Sequence, residues 1–279
     1  MKKYYFFSTM LALTFLLFLS LLPSRTAQAA NPPEVYLTGD YYTDYDITGD
    51  GISDTIQIKR ERESSYIYNG FSIKANGKEI FHLKNKTSYY FSSTVRLYTL
   101  KNNKVLVYIY LSENNLDGPT CGLYMYKKGK LKKVLDFQTF FKDGIHNNGK
   151  VLEISGNQLK VNYFSMSHAF AGIDMEYTYK YKKGKLVPVS KYGMVKLYNT
   201  RQENSVTARK SFWLYKNATS SKKKIKVKKG HAFRVSSSYV KGSKIRFKVE
   251  LMNGKSGWVI SPKDFLKKGS LAKECMYAG

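Results

Sequence analysis

The chain has 279 residues and carries 47 Lys and Arg against 20 Asp and Glu, a formal charge of +27. Its length accommodates one or two globular domains with cores of their own. Beyond the N-terminus no segment is apolar enough to span a bilayer, and so positive a field favours polyanions: anionic wall polymers, acidic membrane surfaces or nucleic acid.

Lys2 and Lys3 open the chain, and a mostly apolar run follows over 11–22. Pro23 ends the run, and Ala27-Gln28-Ala29 places small residues at cleavage positions. This is the pattern of a secretory signal peptide over 1–29. The apolar run is short for a membrane anchor, and no cysteine stands near the cleavage site to carry a lipid. The mature protein is expected to be exported, soluble and extracellular, with the cell wall as one address. Such a protein meets wall polymers and membrane surfaces far more often than nucleic acid, so no nucleic-acid partner is expected.

DITGDGISD (46–54) comes next. Read from Asp46 at position 1, it offers Thr48 at 3, Asp50 at 5, Gly51 at the bend, the Ile52 carbonyl at 7 and Asp54 at 9. Calcium takes six to eight hard oxygens, and this spacing wraps them around one point. Gln57 stands where an EF-hand has its bidentate Glu, so the loop is not an EF-hand. It resembles the shorter D-x-x-x-D-G-x-x-D loops of FG-GAP, VCBS and dockerin-like modules, which lead straight into a strand, as TIQIK (55–59) does here. The resemblance implies one calcium ion with a structural role. A plain Asp/Gly turn between strands is the alternative.

From residue 34 onward the chain reads as strands and tight turns. KVLVYIYL (104–111), LYMY (123–126) and EYTYKY (176–181) alternate and are rich in Tyr, Val and Ile, which suit a pleated, half-buried surface. Asn76-Gly77, Asn102-Asn103, Lys128-Gly129, Asn148-Gly149, Gly156-Asn157, Lys183-Gly184 and Asn253-Gly254 tolerate positive φ and predict hairpins. No stretch has apolar residues at helical spacing over eleven positions. YKKGKL occurs at 126–131 and again at 181–186, as a duplicated hairpin unit would show.

Catalytic constellations are not visible. His82, His146, His168 and His231 stand in no metal-ligand spacing. Cys121 precedes a strand, without the Asp-Cys-Ser-Gly helix start of exported wall-cleaving cysteine peptidases and so without the device that lowers a thiol pKa. Export and an even count permit one disulfide, Cys121 to Cys275; buried free thiols are the alternative, with Cys275 in a terminal tail.

Near residue 204 the composition turns basic. Residues 205–279 hold 19 Lys and Arg against three acids, Glu250, Asp264 and Glu274, a net of +16. An opening strand FWLY (212–215) leads to a polar loop, a V-x-x-G turn at 227–230, strands over 232–235 and 247–251, a hairpin at Asn253-Gly254 and a closing Gly257-Trp258-Val259. This order resembles a bacterial SH3 domain, over about 55 residues, with the Gly-Trp-Val end the most specific part. The family often carries an Arg-Ser-Gly-Pro-like segment after its first strand, where this chain has Lys216-Asn-Ala-Thr219. The resemblance implies binding to wall peptide or glycan, and the charge adds anionic polymer. Trp213, Tyr215 and Trp258 are the aromatic candidates, and Lys222, Lys223 and Lys224 the basic ones. Barrel core for the aromatics and a solvated loop for the lysines are the alternatives.

The expected architecture is all-β: a signal peptide (1–29), an antiparallel hairpin domain, sandwich or propeller-like, with the calcium loop (30–204), an SH3-like barrel (205–266) and a basic tail (267–279). The expected function is non-catalytic binding of peptidoglycan or another anionic surface polymer. The rival is an exported enzyme or inhibitor with active groups in the N-terminal domain, His168, Asp174 and Glu176 first. Nothing in the sequence points to an oligomer.

Overall fold

The computed structural model describes residues 31–84, 89–113, 118–141, 144–198, 205–242, 244–262 and 269–275. The expected signal peptide lies outside the described residues. The fold is all-β, with antiparallel sheets and no α-helix among the described residues. Among the described residues no helix is long and apolar enough to cross a membrane.

Three sheets form. A five-stranded sheet has the order β1 (Glu34–Tyr36), β6 (Ser92–Leu100), β7 (Lys104–Ser112), β8 (Thr120–Lys127), β9 (Lys130–Asp136). A four-stranded meander joins β2 (Tyr41–Tyr45), β3 (Asp54–Arg62), β4 (Tyr68–Ala75) and β5 (Lys78–Lys84). The third sheet has eleven strands. Its path runs through β10 (Gly144–Ser155), β11 (Gln158–Ser167), β12 (Ala171–Lys182) and β14 (Tyr192–Leu197), then β18 (Ala232–Lys241), β19 (Lys244–Leu251), β20 (Ser256–Ile260), β16 (Phe212–Tyr215) and β17 (Lys223–Val227). Off this path, β13 (Lys185–Pro188) pairs with β12 and β15 (Ser205–Thr207) with β18. Among the described residues the path does not close on itself.

The five-stranded sheet lies between two cores. Val105, Val107, Ile109 and Tyr124 join Ile56, Ile58, Phe71 and Ile73 of the meander. Leu106, Tyr108, Leu123 and Met125 point the other way and pack with Val161, Tyr163, Met175 and Tyr177. This is why β7 is almost continuously apolar: a strand covered on both faces gains from apolar residues at odd and even positions alike. β3, with one face toward solvent, keeps its alternation instead.

The hairpin turns follow the backbone chemistry. Asn76-Gly77, Lys128-Gly129 and Lys183-Gly184 all have positive φ at both positions, the type I′ geometry whose twist matches the flanking strands. Asn148-Gly149 departs from expectation and lies inside β10, beside a bulge between Ile145 and Asn148. Gly149 is needed there for close approach, since a Cβ would collide with the Phe137 ring.

The composition step near 204 falls in 199–204, outside the described residues. On either side the sheet is continuous: Tyr192, Gly193 and Met194 of β14 pair with Tyr239, Ser238 and Ser237 of β18. The C-terminal segment is also built in. Leu271, Ala272 and Cys275 are buried, and Arg209 N–H donates to Leu271 O while Lys273 N–H donates to Thr207 O, each at 2.9 Å.

Candidate functional site

The outer face of the basic module gathers most of the predicted binding residues. In β16, Leu214 is buried in the core while Trp213 and Tyr215 face outward, the two-residue alternation of a strand. Cross-strand register then sets a row: Lys248 of β19 opposite Trp258 of β20, Trp258 opposite Tyr215, Tyr215 opposite Lys223 of β17. The closing Gly257 lets β16 come close, because a Cβ there would sit 2.8 Å from Leu214 Cβ and 2.9 Å from Tyr215 O. A second row runs Tyr192, Tyr239, Arg246, Ile260 across β14, β18, β19 and β20.

These rows are knitted by cation–π and ring contacts. The Arg246 guanidinium lies 5.1 Å from the Tyr215 ring centre and donates to Ser220 O at 2.8 Å. Lys223 Nζ lies 5.3 Å from the Trp213 ring. Tyr192 meets Trp258 at 5.3 Å between centroids with a 33° tilt. The result is an outer face in which the Trp213, Tyr215 and Trp258 rings stand among Lys223 and Arg246, the two cations held over rings, with Lys248 ion-paired to Glu250 at 3.0 Å and Tyr239 buried beneath.

Of the predicted residues, Trp213, Tyr215, Trp258 and Lys223 share this face. Lys222 sits in the loop before β17, its N–H donating to Ser220 Oγ, and Lys224 is drawn aside at the β16–β17 bulge to donate to Ser256 O at 3.1 Å. Tyr192, Arg246 and Lys248 were not anticipated. YGMVKL (192–197) reads as mixed and polar, and its strict alternation shows only in the burial of β14.

The aspartate loop is tightly self-satisfied. Asp46 and Asp54 are 1% and 2% exposed, and burying a bare carboxylate is costly unless donors surround it. Asp54 Oδ2 accepts from Ile47 N–H at 2.8 Å and Thr48 N–H at 2.9 Å, and Asp54 Oδ1 from Asn76 Nδ2 at 2.6 Å. Asp46 accepts from Gly49 N–H at 2.5 Å and Gly51 N–H at 2.7 Å. Thr48 Oγ1 lies between them, 3.3 Å from Asp46 Oδ1 and 3.5 Å from Asp54 Oδ1. Asp50 turns back on its own loop and accepts from Ile52 N–H at 2.9 Å. Three oxygens, from Asp46, Thr48 and Asp54, are thus brought together, with every oxygen of the two carboxylates already accepting from the loop or from Asn76. No three acidic, imidazole or thiol side chains gather around one point among the described residues.

Compared with known protein families, curated proteins and solved structures, the chain matches none.

The catalytic candidates separate. Glu176 is held between Lys160 Nζ at 2.5 Å and Lys196 Nζ at 2.8 Å. Asp174 accepts from Asn162 Nδ2 at 2.6 Å and lines a cleft between the five-stranded sheet and β10–β12. His168 lies in the turn between β11 and β12, and neither it nor Glu176 lines that cleft. Cys121 and Cys275 are free and buried rather than joined. Burial pushes the Cys121 thiol up to about 11 and the Cys275 thiol up to about 12, the opposite of what a nucleophile needs.

Proposed function

We propose that the protein is an exported, non-catalytic binder that holds an anionic cell-wall polymer, or peptidoglycan carrying one, against the outer face of its basic module. The observation that carries this reading is the row Lys248, Trp258, Tyr215, Lys223 across four adjacent strands. Rings offer flat apolar area to sugar or peptide while the flanking cations meet anionic groups along the same line. The strand order β18-β19-β20-β16-β17 supports the SH3-like reading of this module, and the hairpin-rich remainder supports a sandwich-like N-terminal part. Export rests on the sequence of residues 1–29. A calcium ion held by Asp46, Thr48 and Asp54 belongs to the same proposal as a structural clip, where it would neutralise two buried carboxylates.

The test is retention of the full chain on purified cell walls across a salt series. Retention at low salt, with elution as ionic strength shortens the Debye length from about 10 Å at 0.1 M toward 3 Å at 1 M, is expected. Lys223→Gln with Lys248→Gln should elute at clearly lower salt with an unchanged melting temperature. Equal retention of that double variant, or none of the parent chain at low salt, overturns the proposal.

A further inference from the structure

A cleft of about 430 Å³ opens between the five-stranded sheet and the β10–β12 part of the large sheet, within the size range of small-molecule sites. One wall is two cross-strand pairs, Thr94 opposite Tyr110 and Arg96 opposite Tyr108. The facing wall places Lys150 opposite Asn162 and Phe164 opposite Asp174. Tyr198, 64% exposed, forms the rim and meets Phe164 at 5.4 Å and 78°. Tyr108 Oη donates to Gly149 O at 2.8 Å and ties the two sheets together below.

The polar groups are not all used. Asp174 only accepts, so the Asn162 amide turns its nitrogen to it and its Oδ1 the other way. That Oδ1 is buried without a hydrogen-bond partner. Arg96 lies against Tyr36, 4.1 Å from the ring centre, and its Nη1 contacts Glu34 at 3.3 Å and Tyr98 Oη at 3.5 Å. Its Nε, also buried, has no partner. Native structures leave few such atoms, and each calls for a reason.

We propose that this cleft binds the carboxylated sugar unit of an acidic glycan. Arg96 is ion-paired with Glu34, so the cleft meets an anionic group with its unpartnered Nε–H and with the Lys150 ammonium, and a guanidinium edge matches a carboxylate's geometry. The Asp174 carboxylate and the Asn162 Oδ1 both accept, which suits the O–H donors of neighbouring ring hydroxyls. The exposed Tyr198 ring, braced edge-to-face by Phe164, gives an apolar face for the C–H face of a pyranose. An apolar ligand would desolvate three ionised side chains without return, and a dianionic phosphate would crowd the Asp174 carboxylate. The cleft is built from strands other than those of the aromatic–basic face, so either site can fail without the other.

Calorimetric titration of the full chain tests this with digalacturonate, its dimethyl ester and glutarate. Digalacturonate should bind saturably, with the neutral ester and the hydroxyl-free dicarboxylate each about tenfold weaker or more. Lys150→Gln, which removes an exposed cation of the cleft, and Tyr198→Ala, at an exposed rim position, should each weaken digalacturonate about tenfold while leaving the melting temperature unchanged. Lys223→Gln on the other face should bind as the parent does. No saturable binding of digalacturonate, equal binding of the ester or of glutarate, or full affinity in both cleft variants overturns the proposal.

Discussion

Glu176 is the clearest case of a residue whose surroundings decide its role. Burial, the largest influence, acts to raise its carboxyl pKa, but hydrogen bonds from the Lys160 and Lys196 ammonium groups outweigh it and hold the carboxyl below the ordinary glutamate range. A depressed folded pKa means the unfolded chain binds the proton more readily. The stabilisation is therefore complete above the unfolded value, about 4.3, and is lost as pH falls through the lower folded one. Melting temperature should drop between about pH 5 and pH 3, and Glu176→Gln should flatten that part of the profile; an unchanged acid slope in the variant would remove the ion pairs from the account. At this scale the sequence was partly legible. Gly257-Trp258 declared a close strand approach and a large ring, because each is a property of one residue type. That Tyr192 would lie against Trp258, or that two lysines from different strands would hold Glu176, depends on register, which no local spacing reports.

Among elements, the turns were the most legible. Type I′ hairpins need positive φ at both central residues, so Asn76-Gly77 and the two Lys-Gly pairs announced themselves. Asn148-Gly149 gives the same local signal yet lies within β10, where tertiary packing against Phe137 takes the glycine for another purpose. The apolar richness of β7 reads as a half-buried strand until its second covering layer is seen. The aspartate loop was legible as a tight, oxygen-lined turn, and Asn31 was not, although its side chain brackets Asp46 through contacts of 2.6 and 2.9 Å. Calcium and the loop's own N–H groups compete for the same carboxylate oxygens, which sets what calcium can add. It should raise the melting temperature with half-saturation on the order of 10⁻⁴ to 10⁻³ M, the range of extracellular modules. Asp46→Asn should abolish the rise. Identical melting in chelator and in about 10 mM calcium would leave the loop a plain turn.

At the scale of the whole molecule, charge and packing are organised differently. The charge step near residue 204 was legible because composition is additive along the chain. The core was not, since it depends on which distant side chains meet. Phe170 packs 5.1 Å from Phe247 and 6.2 Å from Phe233, across the charge step, and all three rings are buried. Tyr177 Oη lies 3.0 Å from Ser238 Oγ, and β14 pairs with β18 beside it. Cutting the chain at 204 would expose each of these rings. Fully burying one such side chain is worth about 1.5–3 kcal/mol, against a total stability of about 5–15 kcal/mol for a domain. The fragment 205–279 should therefore lack a cooperative thermal transition on its own and regain one when mixed with 31–204. Circular dichroism melts of the two fragments, separately and together, check this. A sharp transition in 205–279 alone, near that of the full chain, would mean that the shared core adds little and that the basic module stands by itself. If the fragment does fail alone, the aromatic–basic face depends on packing supplied by the N-terminal half, and wall binding should be lost along with the fold.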